Sequence, residues 1–215
     1  RAGADPPALV PPDPARALLD ALELGAPARP NGISAALGSA VSTHLPFAPE
    51  QMIAAPGMHS AMHLALTALL PVGGRAAVED PTCIRNLSIL RGRDAEVLLI
   101  RSDAEGPPAR FVRCSPRAVA DPDHIPGECR GAAGFRSHRA RRDELALLLQ
   151  ASSARPWIVE EDPAGALAAS ASLGDALPDR VIRVVDFARA YGGAVLQTAL
   201  VAGAAPAIET ISSLQ

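Results

Sequence analysis

Four short segments of this sequence carry side chains whose types and spacing suit them to chemistry. Ala55-Pro56-Gly57-Met58-His59-Ser60-Ala61 reads as a strand end, a glycine turn and a helix start. The free backbone N–H groups and the dipole of such a helix start favour a phosphate or another small anion. Gly57, Met58 and His59 are the residues placed to meet it. Val78-Glu79-Asp80-Pro81-Thr82 closes a second apolar run on carboxylates. Trp157-Ile158-Val159-Glu160-Glu161-Asp162-Pro163 closes a third. A carboxylate there suits a cationic ring nitrogen; its competing use is a helix N-cap or a solvated loop. The fourth segment, Val184-Val185-Asp186-Phe187-Ala188-Arg189-Ala190-Tyr191-Gly192-Gly193, ends in a guanidinium and a glycine pair.

What is missing narrows the chemistry further. All 20 residues of the Lys+Arg count are arginine, so no side chain of the 215 is a primary amine. Reactions that start by condensing a lysine with an aldehyde are therefore excluded within these residues, because arginine stays protonated and forms no such bond. A GC-rich codon bias explains arginine for lysine on a surface, but not at a catalytic position. His59 and His63 stand four apart, a metal-binding spacing on a helix. No Glu follows His59 and no third ligand is evident, so no metal site is expected. Cys83, Cys114 and Cys129 form neither a disulfide framework nor a Cys-x-x-Cys knuckle. Ser88, Ser102 and Ser115 lack a Gly-x-Ser-x-Gly elbow. Arg136, His138, Arg139, Arg141 and Arg142 cluster without interleaved aromatics in a chain of net charge −3. They read as a solvated helix start rather than a nucleic-acid contact.

These segments need elements to position them. With 48% hydrophobic and 20% charged residues, the chain has material for one sizeable core. Helices are expected over Arg16–Leu24, Ile33–His44, Ser60–Leu70, Thr82–Leu90, Ser137–Gln150 and Ala207–Leu214. Asn31 or Gly32 is expected near the start of the second, and Ser137 as the N-cap of the fifth. Strands are expected over Gln51–Ala55, Ala76–Glu79, Glu96–Ile100, Phe111–Cys114, Trp157–Glu160, Val181–Val185 and Leu200–Ala202. Arg117–Arg136 has no period. Strands alternate with helices, and several are continuous apolar runs. That pattern gives an α/β fold, a mainly parallel sheet covered by helices on both faces. Acidic or glycine turns then follow the strand C-ends, where open α/β sheets bind ligands. Trp157 belongs to the core. The longest apolar runs are too short and too polar to span a bilayer, and the first residues lack a signal-peptide core. The expected compartment is the reducing cytoplasm.

In order, the four segments resemble the large domain of fold-type I, pyridoxal-phosphate-dependent aminotransferases. They are most similar to the form of it fused to winged-helix modules in MocR-type GntR regulators. Val78–Thr82 matches that family's Val-Glu-Asp-Pro-Thr, Ala55–Ala61 matches its glycine-containing helix start, and Ser137–Leu148 matches a helix start. Ile158–Pro163 matches its Ile-Val-Glu-Asp-Asp-Tyr, and Phe187 onward its Phe-Ser-Lys segment. The resemblance covers about residues 20–215.

It implies an N-terminal extension and helix over 1–25 and a large domain over 26–215, with the family's small C-terminal domain absent. It implies cofactor contacts at Gly57, Met58, His59, Cys83, Glu161, Asp162 and Arg189. The departures fall on those contacts. Arg189 takes the lysine position, Cys83 the stacking aromatic, Glu161 the aspartate facing the pyridine nitrogen, and Pro163 a tyrosine. Asp162 is the alternative to Glu161 under a one-residue register shift, and Leu196 takes the place of a phosphate-binding arginine. The expectation is a catalytically degenerate domain with no catalytic residue. Pyridoxal or pyridoxamine phosphate is held non-covalently or not at all, and the retained helix start offers a small anion its place. The alternatives are an enzyme using the cofactor non-covalently and a structural or dimerisation module. The implied partner is a second copy of the chain, with no membrane and no direct nucleic-acid contact.

Overall fold

The computed structural model describes residues 32–80, 82–101, 123–125, 139–162, 172–186 and 197–215, together with Asp13 and Arg16. Seven strands form one sheet: β1 (Met52–Ala55), β2 (Arg75–Asp80), β3 (Glu96–Arg101), β4 (Asp123–Ile125), β5 (Ile158–Asp162), β6 (Val181–Asp186) and β7 (Ala199–Gly203). Their spatial order is β1-β7-β6-β5-β4-β2-β3. Only β7 runs against its two neighbours; the remaining pairings are parallel. The central strands β5, β6 and β7 are buried along their lengths, as apolar runs covered on both faces must be.

Five helices cover the sheet among the described residues: α1 (Ala35–Ser42), α2 (Gly57–Leu69), α3 (Ile84–Gly92), α4 (Arg139–Ala151) and α5 (Ala205–Ser212). The front face carries α2, α3 and α5. Ala61, Met62, Ala65, Leu66 and Leu69 form the inward stripe of α2 and pack with Ile89, Leu90, Ile208 and Ile211 over Val159, Val184 and Val201. The back face carries α1 and α4, whose Val41, Leu145 and Leu149 pack over Ile158, Val181, Val185 and Leu200. Trp157 packs, half-buried, on the front core. Gly203 in β7 lies where a Cβ would come within 2.4 Å of the Val181 carbonyl oxygen, so the β6–β7 approach admits no side chain there.

Element types follow the sequence expectations, with four corrections. Helix α1 begins later than Asn31 or Gly32, because Ser34 is its N-cap and accepts from the Leu37 N–H at 3.2 Å. Helix α2 starts three residues ahead of Ser60, directly after the Pro56 turn. The stretch Arg117–Arg136 contains β4, a three-residue strand in the middle of the sheet that the sequence reading lacks. Pro122 and Pro126 bracket it too closely for a period to show. Asp80, Glu161 and Asp162 are strand residues rather than turns, since β2 and β5 run to Asp80 and Asp162. The helix expected over Arg16–Leu24, beyond Arg16 itself, and the strand at Phe111–Cys114 lie outside the described residues.

Candidate functional site

The C-terminal ends of the parallel strands form one edge of the sheet. Ala55 and Asp186 both pair with Ala199, Asp162 pairs with Val185, and Asp80 pairs with Arg101. This edge gathers three of the four chemistry-bearing segments and the beginning of the fourth. In open α/β sheets it is the ligand-binding edge, at the point where strand order reverses. Here the order reverses beside β2, from which the chain passes to β3 on one side and later to β4 on the other.

Helix α2 points its N-terminus at that edge. Gly57 opens it with φ +82°, a left-handed conformation that glycine adopts without steric cost. A Cβ at Gly57 would meet Gln197 at an ordinary 3.6 Å, so backbone conformation rather than crowding selects the glycine. Pro56 occupies the cap position and no side chain caps the first turn among the described residues. Met58 packs into the front core, while His59 and His63 face outward and are exposed. Among the described residues no group of three His, Cys, Asp or Glu is arranged to hold a metal ion.

Helix α3 packs against α2 on the same face. Cys83 is its half-buried cap residue. One turn further on, Asn86 is 2% exposed and donates from Nδ2 to Glu161 Oε2 at 2.9 Å. Glu161 is itself buried, so this amide satisfies a carboxylate that would otherwise be costly to hide. The α2 start, Cys83, Asn86 and Glu161 therefore lie on the front side of the sheet edge. Nothing in the sequence singled out Asn86. An asparagine inside a short helix is unremarkable, and only the fold shows that it faces β5.

Successive strand residues point to opposite faces, and this separates the acidic residues of β5. Glu160 and Asp162 turn to the back. Asp162 is buried and ion-paired with Arg183 of β6, whose Nε also donates to Asp162 Oδ2 at 3.2 Å. Glu160 accepts from Ser172 Oγ at 2.5 Å and from the Leu173 N–H at 2.7 Å. Burial pushes its carboxyl above the usual carboxylate range, against the opposing pull of Arg183, the two donors and Arg142. Asp162 is thus brought together with Arg183 and not with Glu161. Arg189 and Leu196 lie outside the described residues.

A pyridoxal-type cofactor held by a covalent bond does not fit these residues. There is no amine to anchor it.

No protein-family model and no curated protein matches this sequence. Solved structures do match the fold. The chain is similar to aspartate aminotransferase from Thermus thermophilus with maleate, at TM-score 0.77 and 18% identity over 93% of this chain and 54% of that one. It is similar to substrate-bound BacF from Bacillus subtilis, at TM-score 0.79 and 15% identity over 99% of this chain and 58% of that one. N-Succinyldiaminopimelate aminotransferase from Mycobacterium tuberculosis matches at TM-score 0.76 and 18% identity, over 98% of this chain and 59% of that one. The chain spans little more than half the length of these proteins. At such identities the likeness is one of fold: an α/β large domain of the fold-type I, pyridoxal-phosphate-dependent aminotransferase architecture. No helix among the described residues is long and apolar enough to cross a membrane.

Proposed function

We propose that this chain is a ligand-holding domain of aminotransferase architecture that does not transaminate. In this reading it senses a small anionic ligand, as the corresponding half of a MocR-type regulator does, and pairs with a second copy of itself. The observation that carries the proposal is the absence of lysine from 215 residues that fold this way. When bound to an aminotransferase, pyridoxal phosphate supplies the electron sink for amino-group exchange, and a lysine amine anchors it and moves the proton. Arg189, which the resemblance puts at that position, does neither, because its proton is not released at neutral pH. The features that support binding are the uncapped start of α2 after Gly57 and the buried Glu161 on the front of the same sheet edge.

The test combines trapping and calorimetry. Borohydride reduction of the purified chain with pyridoxal phosphate is expected to leave no adduct on any internal side chain. Amino-acid donors and keto-acid acceptors are expected to show no amino-group exchange with either cofactor form. Sustained exchange by the chain overturns the proposal. A second reading, an enzyme holding the cofactor non-covalently, draws on Glu161, whose buried carboxylate suits a ring nitrogen. It requires exchange on adding pyridoxamine phosphate, together with calorimetric binding that weakens when Gly57 is replaced by valine. If neither cofactor nor a small anion binds, the dimerisation role is what remains.

A further inference from the structure

The back of β5 holds a group that the proposed ligand site does not use. Glu160 is one of three consecutive carboxylates, yet among the described residues it makes no ion pair of its own. Its cross-strand neighbour is Arg183, and that guanidinium is committed to Asp162. What Glu160 holds instead is a piece of chain. The Ser172 hydroxyl reaches its Oε2 at 2.5 Å and the Leu173 N–H its Oε1 at 2.7 Å, while Ser172 Oγ also accepts from the Gly174 N–H at 2.8 Å. These bonds start the short 3₁₀ turn Leu173–Asp175 and fix it to the sheet. The turn is packed as well as bonded. Leu173 belongs to the back core, and a Cβ on Gly174 would come within 2.7 Å of the Phe47 ring.

We infer that Glu160 is a protonation-sensitive latch, a buried carboxyl that clamps the turn Leu173–Asp175 to the back of the sheet and loosens its hold as pH rises. This goes beyond the proposed ligand site and does not depend on it. The charged and titratable groups facing Glu160 are Arg183 of β6, Asp162 on its own strand and Arg142 of α4, with Ser172 and the Leu173 amide from the turn. Burial disfavours the ionised form more than Arg183, the donors and Arg142 favour it. The sign of the pH effect follows. Opening the turn admits water and returns Glu160 toward its ordinary value of 4.5. Below that pH both closed and open forms hold the proton, and the latch is at its strongest. Above it the open form gives up its proton first, so closure weakens until Glu160 also ionises in place.

The experiment is amide hydrogen exchange of the whole chain from pH 4 to 8, read as protection of the Leu173 and Gly174 amides relative to their intrinsic rates. In the unmodified protein, protection is expected to fall by up to about tenfold per pH unit above the ordinary carboxylate value, the limit for one linked proton. Glu160→Gln keeps an acceptor for Leu173 and a donor for Ser172 but cannot ionise, and its protection is expected to be flat. Ser172→Ala removes a donor to the carboxylate and should extend the falling region to higher pH. Asp162→Asn removes the carboxylate that competes with Glu160 for Arg183 and should shorten it. Flat protection in the unmodified protein, or an equal slope in Glu160→Gln, overturns the inference. Should Glu160→Gln fail to fold, the opposite displacements expected of the other two variants decide it: both displaced the same way, or neither displaced, is a refutation.

Discussion

The two sides of β5 use carboxylates in opposite ways. On the front, Glu161 meets a neutral amide, Asn86, at the C-terminal edge of the parallel strands. On the back, Asp162 meets the full charge of Arg183, and Glu160 meets a hydroxyl and a backbone N–H. All are buried in adjacent positions of a single strand. The back is a structural network, in which Asp162 pairs with Arg183 and Glu160 holds the turn. The front supports its carboxylate, among the described residues, with a neutral donor rather than a cation. That is the arrangement expected of a surface whose remaining partner comes from outside the chain. The difference teaches that the acidic run is two devices interleaved by strand alternation, and only one of them faces the candidate site.

The comparison breaks most readily on the back. Arg183→Met removes the cation paired with buried Asp162, and is expected to cost about 3–5 kcal/mol, the scale for stranding a buried charge. A urea midpoint measurement reads this directly. A cost near zero means that the back network is not held by charge. On the front, Asn86→Ala removes one neutral donor and should cost about 1–3 kcal/mol. The order of the two losses is the substance of the comparison. If Asn86→Ala is the more damaging, Glu161 belongs to the scaffold and the contrast between the faces is lost.

The sequence displays these devices unequally. Long periodic elements were readable because burial writes them into the pattern, as in the Ala61-Met62-Ala65-Leu66-Leu69 stripe of α2. The glycine at 57 was readable because few residues other than glycine turn a strand into a helix with φ +82°. Other features leave little trace. β4 is three residues between prolines and takes its strand character from β2 and β5 on either side. The acidic ends of β2 and β5 read as turns because carboxylates are rare inside sheets, and only the partners make them tolerable. One signal was available and unused. Arg183 interrupts Val181-Ile182-Arg183-Val184-Val185, and a lone guanidinium in an otherwise apolar central strand needs a buried acid nearby. Asn86 offers no comparable signal, because its role exists only once α3 is laid against β5.

The smallest expected effect sharpens the comparison at the front edge. Gly57→Ala adds a methyl group that meets Gln197 at an ordinary contact distance, so crowding contributes little. The cost comes from holding a Cβ-bearing residue at φ +82°, about 1–2 kcal/mol. The fold can respond in two ways, and stability and binding separate them. If the first turn of α2 keeps its conformation, stability falls by that amount and anion binding at the helix start is retained. If the turn relaxes to relieve the strain, stability falls by less, the first N–H groups turn away, and binding of phosphate or pyridoxamine phosphate by calorimetry weakens. A variant with unchanged stability and unchanged binding would mean that the left-handed turn at Gly57 does not set the direction of α2. The front edge would then lose its claim to be a site built by the fold.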